Sequence, residues 1–233
     1  MEKDRRARVI AIAALLVGVV GLSLGFAAFT NTLTIKSSAE VVVDSSVFNV
    51  VFSKQSGSVV DGSVTPTLSP ANGPASFTGA NATITNSGTG APKIEGLKAT
   101  FTAPGQSVTY SFYTKNAGAL KAYLTSVNFA EVTTGATKTC TAKSVQSPAT
   151  PATASLVAAA CNGISLTVTL GSESFTQTTA RNAFTTATAH DLEADGYETV
   201  TVVIAYAAGS AQADGDFDVA FGDVTLNYSS VAS

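Results

Sequence analysis

His190 is the single histidine of this 233-residue chain. It stands beside Asp191, and any of many serines could complete a Ser–His–Asp arrangement with the pair. Beyond the apolar run at the start of the chain no Gly-x-Ser-x-Gly elbow is present to expose such a serine on a strained turn, and no H-E-x-x-H zinc motif occurs. His190 lies in a polar stretch and reads as a solvated loop residue, so no catalytic residue is assigned and the chain is read as a non-enzyme. Asp214, Asp216 and Asp218 alternate, and Asp191, Glu193 and Asp195 do the same before Gly196. Alternate oxygen donors of this kind begin a calcium loop, which goes on to require a glycine at its sixth place and a glutamate at its twelfth. The first run has Val219 where the glycine belongs, and the glutamates are replaced by Thr225 and Val202. Both runs are read as solvated turns, with a Ca²⁺ shared between them left open. No metal and no cofactor is assigned.

Two cysteines, Cys140 and Cys161, make up the sulfur chemistry. In an exported protein an isolated pair reads as a disulfide. Closing a loop of about twenty residues is worth roughly 3 kcal/mol on the chain-entropy model. Paired carboxylates for glycoside hydrolysis would need an aromatic-lined cleft, and the chain has no Trp to stack on sugars. Asn81-Ala-Thr and Asn227-Tyr-Ser match the glycosylation sequon, a triplet that recurs by chance in a chain rich in Ser and Thr.

The expectation that the protein is exported comes from its first thirty residues. Lys3, Arg5, Arg6 and Arg8 precede an apolar run, Val9 to Phe29, and no charge follows until Lys36. About twenty helical residues span roughly 30 Å, the thickness of a bilayer core. The run serves either as a secretory signal or as a membrane anchor. Gly25 and Ala27 satisfy the small-x-small pattern for cleavage before Ala28, and Ala28 offers a second site before Phe29. The length of the run favours an anchor, while its Gly-Phe-Ala-Ala ending favours cleavage. The basic flank keeps the N-terminus cytoplasmic in both cases. Residues 1–28 are therefore a signal peptide or anchor, and residues 29–233 form one exported domain, secreted or held at the cell surface.

Charged residues make up 12% of the chain, about half the usual share, and Thr, Ser, Ala, Val and Gly fill the difference. Four of the 13 basic and two of the 16 acidic residues precede Val9, so the rest carries 9 − 14 = −5. No basic patch is present, which argues against nucleic acid as a partner.

Strands must position whatever these residues do. Leu33 and Ile35 alternate with Thr32, Thr34 and Lys36 just beyond the apolar run, a period of two. Ile164, Leu166, Val168 and Leu170 alternate with Ser165, Thr167 and Thr169, and Val108, Tyr110 and Phe112 with Thr109, Ser111 and Tyr113. Short apolar runs at Val41 to Val43, Val47 to Phe52, Asn81 to Thr85, Ile94 to Phe101, Leu120 to Phe129, Thr199 to Ala207, Phe217 to Phe221 and Val224 to Tyr228 read as further strands. Residues 55–80, rich in Gly, Ser and Pro, and residues 130–160, rich in Thr and Ala, read as loops. Residues 174–190 are ambiguous. Nine to eleven strands with turn signals between them imply an all-β fold, a single antiparallel β-sandwich of jelly-roll or Ig-like type, preceded by one N-terminal apolar helix and without a further helix.

Several segments together resemble the TasA/camelysin group of exported prokaryotic proteins. They are the leader ending Phe26-Ala-Ala-Phe29 that runs straight into a Thr-rich strand, Pro104-Gly-Gln-Ser-Val-Thr-Tyr-Ser-Phe with Lys115-Asn-Ala-Gly, and Leu192-Glu-Ala-Asp-Gly before Thr199-Val-Thr-Val. The resemblance implies a jelly-roll fold, removal of the leader near Ala28 and Phe29 by a dedicated signal peptidase, and extracellular fibres built by donor-strand exchange. Residues 29–38 would be the donor strand, with Phe29, Leu33 and Ile35 as its inserted face. Adding a strand to a neighbour's sheet supplies main-chain hydrogen bonds and side chains in pockets, and a head-to-tail contact that does not close generates filaments. The expected partner is thus a second copy of the chain, in a biofilm-like extracellular matrix. The alternative is a membrane-tethered monomeric binding or adhesion module that presents loops 55–80 and 141–160.

Overall fold

Threonine alternating with Val, Leu and Ile builds the longest strands, because successive side chains of a strand point to opposite faces. The computed structural model describes residues 30–35 (backbone only), 46–86, 92–142, 153–177, 190–215 and 217–231. The leader, with Ala28 and Phe29, and the run Val41 to Val43 lie outside the described residues.

Seventeen strands and one helix are present among the described residues. The first large sheet is built from β1 (Thr30–Ile35), β3 (Gly62–Val64), β6 (Ala82–Thr85), β7 (Lys93–Glu95), β10 (Ala122–Phe129), β14 (Asp191–Leu192) and β17 (Val224–Ser229). Their order is β14-β10-β17-β1-β7-β6-β3. The second contains β2 (Val50–Ser53), β4 (Thr67–Ser69), β9 (Ser107–Asn116), β12 (Ile164–Leu170), β13 (Glu173–Thr176) and β15 (Tyr197–Tyr206). It runs β13-β12-β15-β9-β2, and β4 pairs with β9 as well. Two two-stranded sheets complete the fold, β5 (Thr78–Ala80) with β8 (Lys98–Thr100) and β11 (Lys138–Ala142) with β16 (Phe217–Phe221). Every pairing between the described strands is antiparallel except β1 with β7. The chain is all-β in its main architecture, as its alternation predicts.

One core joins the two large sheets. Ile84, Ile94, Leu124, Leu226 and Tyr228 from the first pack with Val108, Phe112, Val168, Val200 and Val202 from the second. Each such side chain, fully buried, contributes about 1.5–3 kcal/mol. Phe52 and Phe112 meet edge to face, with ring centroids 5.3 Å apart. The buried tyrosines keep polar partners. Tyr110 Oη accepts the Lys98 N–H at 2.9 Å, and its proton faces the carbonyls of Ala80 and Lys98 at 2.8 and 2.7 Å. Tyr228 Oη donates to Thr114 Oγ1 at 3.4 Å, which ties β17 to β9 across the core.

The structure corrects the sequence reading in four places. The Thr/Ala stretch 130–160 is not all loop: it contains β11 and a helix, α1 (Ala154–Asn162). Its Leu-Val-Ala-Ala-Ala centre has strong helix propensity, which the surrounding loop composition concealed. Residues 55–80 contain β3, β4 and β5. The run Ile94 to Phe101 is two strands, β7 and β8, because Gly96 turns the chain at φ +82°. Among the described residues strands number seventeen rather than nine to eleven because β3, β4, β5, β7, β8 and β14 have only two or three residues each, too short for a period to show.

Candidate assembly site

β1 lies inside a sheet rather than at its edge. Along its whole length it pairs antiparallel with β17, from Thr30 opposite Ser229 to Ile35 opposite Val224. On its other side it runs parallel to β7, in register at Thr34 and Lys93. Leu33 stands opposite Leu226 and Ile35 opposite Val224, and both partners are buried. Of the three predicted donor residues, Leu33 and Ile35 thus take places in the sheet, while Phe29 lies outside the described residues. Without β1 the seven-stranded sheet would divide into β14-β10-β17 and β7-β6-β3. The slot between β17 and β7 is one strand wide, with ladder hydrogen-bonding groups on both sides.

The predicted disulfide is present, with the Cα atoms of Cys140 and Cys161 6.0 Å apart. It fastens β11 to the last turn of α1. Lys138 reinforces the same junction by donating from Nζ to the Cys161 carbonyl at 2.6 Å and to the Ile164 carbonyl. A cation is favourable at the negative end of a helix, and burial lowers the pKa of this lysine. At the other end, the N–H and hydroxyl of Thr153 donate to Asp214 at 2.8 and 2.6 Å.

His190 is not a solvated loop residue. It is 4% exposed, and its Nδ1 lies 2.6 Å from Glu198 Oε1, with Nε2 3.7 Å from Glu173 Oε2. Burial raises the Glu198 pKa, and the His190 hydrogen bond opposes that rise. Glu198 Oε2 is buried without a hydrogen-bond partner among the described residues. Alternation along β15 carries the signal for this group. Counting back from Tyr206, Ile204, Val202 and Val200 by twos puts Glu198 on the inward face.

The acidic turns are occupied by internal partners. Lys121 Nζ bridges Asp191 at 3.2 Å and Glu193 at 2.7 Å, and Lys115 Nζ reaches the Asp195 carbonyl at 2.9 Å and its carboxylate at 3.3 Å. The turn itself is formed by Asp195, at φ 62°. Asp214 is engaged with Thr153, and Asp216 lies outside the described residues. Among the described residues no group of three or more His, Cys, Asp or Glu side chains is placed to hold a metal ion. Among them, too, no helix is long and apolar enough to cross a membrane. Of the two sequons, Asn81 is exposed, whereas Asn227 sits within β17 and donates from Nδ2 to Ser126 Oγ at 2.8 Å.

A groove of about 580 Å³ is lined by β8 and β16 and by Phe101, Tyr206, Phe217 and Phe221, with Ile164 and Ile204 beneath. Its volume falls in the range of small-ligand sites. No family model, no curated protein and no solved structure matches this chain.

Proposed function

We propose that the chain is an exported structural subunit of jelly-roll type. In this proposal its leader is removed at Ala28 or Phe29, and the subunit polymerises head to tail by placing residues 29–38 in the β17/β7 slot of the next copy. One observation carries this: β1, the first strand among the described residues, completes the middle of a sheet whose two halves do not otherwise pair there. A strand that both halves require can be supplied by the same chain or by a neighbour, with identical main-chain partners. Supply by a neighbour leaves each subunit with one strand given and one slot filled, which extends without closing.

Leu33→Asp combined with Ile35→Asp tests the exchange. The variant is expected to form no filaments alone. Because its own slot remains, it is also expected to accept a wild-type strand, end growth there and shorten wild-type filaments when mixed in. Filaments of unchanged length in both experiments would sink the proposal.

The groove between β8 and β16 supports a second reading, a membrane-tethered binding module with an uncut leader. Mass and N-terminal sequence of the protein taken from cells separate the two. A start at Ala28 or Phe29 supports filaments, and an intact Met1 supports the tethered module.

A further inference from the structure

Three cross-strand rows on the outer face of the second large sheet carry no charge over five strands; beyond them the same face holds Lys115, opposite Tyr197 and paired with Asp195. Thr67, Thr109, Val203, Thr167 and Thr176 form one cross-strand row. Ser111, Thr201, Thr169 and Ser174 form the next, and Ser69, Ser107, Ala205 and Ser165 lie on the other side. Hydroxyls are paired across the surface, Thr167 with Thr176 at 3.0 Å and Thr169 with Ser174 at 2.8 Å. Beyond the Ser111–Thr201 row along β9 and β15 the rings of Tyr113 and Tyr197 meet edge to face, 5.8 Å apart, and Tyr197 is 51% exposed.

We propose that this face is a lateral contact between filaments, its occupant being the same face of a second copy. The inference rests on the filament reading above. Residues from Val9 onward carry a net charge of −5. Two copies approaching through charged surfaces repel each other, whereas these rows bring no charge against charge. Tyrosine is enriched, and Lys and Glu depleted, where proteins meet. Twist excludes a flat, rigid partner: five strands turned by about 20–25° each rotate the rows by roughly 80–100° from edge to edge. A second sheet with the same twist follows that surface, as the sheets of a sandwich do.

Size decides how the contact is used. Three rows about 7 Å apart on strands about 4.8 Å apart cover roughly 400–500 Å² per copy. The total of about 800–1,000 Å² falls short of the 1,200–2,000 Å² of a stable pair. Two free subunits therefore separate, while two filaments, meeting through many copies at once, stay together.

The test uses full-length protein carrying Thr109→Glu and Thr201→Glu, which adds two carboxylates per copy to the centre of the face. Filament length and bundle width are read by electron microscopy, and folding by thermal melting. The expected result is wild-type filaments in bundles, and variant filaments of equal length and near-equal melting temperature that stay single at low salt and bundle at high salt. Variant bundles as wide as wild type at low salt, or wild-type filaments that stay single at every concentration, would overturn the inference. If wild-type protein stays monomeric, strand exchange has failed and the lateral contact falls with it, an outcome distinct from single filaments. Tyr197→Ser, a neutral change at the rim, is expected to narrow bundles without shortening filaments.

Discussion

His190 Nδ1 and Glu198 Oε1 lie 2.6 Å apart at the end of the core, where Gly171 leaves room for the carboxylate: a Cβ there would stand 2.8 Å from the same oxygen. Burial raises the Glu198 pKa. Below the ordinary carboxylate range the group is protonated whether the chain is folded or not, and its contribution is fully present. As pH rises, the unfolded chain ionises first, so stability is lost up to and through the raised pKa. Glu198→Gln retains an acceptor for His190 and removes that ionisation. Melting temperatures measured from about pH 4 to 7 should show the wild type falling progressively behind the variant as pH rises. A constant gap, or one that narrows, would contradict the assigned cause.

Removal of the Cys140–Cys161 link by a double change to serine should cost about 3 kcal/mol, or roughly 6–12 °C in Tm for a domain of this size. Reducing the wild type should reproduce the loss. A fall of less than about 2 °C would mean that Lys138 and the packing of α1 already hold the junction.

A protein comprising residues 39–233 lacks β1 and should melt at lower temperature than the chain that carries it. Adding a peptide of residues 29–38 at about a hundredfold its Kd should restore about 2.7 kcal/mol, a rise of roughly 5–11 °C in Tm. The same peptide with Leu33→Asp and Ile35→Asp should restore nothing. Equal response to both peptides would disprove a specific slot.

Removing the Tyr110 hydroxyl by Tyr110→Phe leaves the Lys98 N–H without its partner and takes the donor from two carbonyls. The expected loss is about 1–3 kcal/mol, read from urea unfolding at unchanged slope. A neutral result would mean that water replaces the hydroxyl.

Calcium should leave Tm unchanged, because the Lys121 ammonium already lies between Asp191 and Glu193. A rise with added Ca²⁺ that chelation reverses would show that the cation displaces the lysine.

Long alternating strands were legible in the residues: β9, β12, β15 and β17 stand where period two puts them, and their inward residues form the core. The Cys140–Cys161 pair was legible from its isolation. Short strands were not, since β7 and β8 have three residues each, too few for a period to show, and are divided only by the Gly96-Leu97 turn. α1 was hidden by its Thr- and Pro-rich surroundings. His190 was misread because a histidine between polar neighbours gives no local sign of burial. Only the inward phase of β15, which carries Glu198, locates its partner. That β1 would take a central place with parallel and antiparallel neighbours depends on strand order, which a pattern along one chain does not encode.

The order of the chain gives the β1–β17 pair a consequence in time. Chains are made from the N-terminus, so Thr30 exists well before its partner Ser229, with most of the described strands between them. Contacts that join distant parts of a chain form slowly, because the intervening loop must close first. Throughout that interval the emerging strand has no β17 of its own to pair with, while finished molecules nearby already possess one. Synthesis thus creates, once per chain, a period in which β1 exists without its antiparallel partner. Under the strand-exchange proposal, the length of that period relative to the local density of subunits sets whether a given molecule joins a fibre or folds alone.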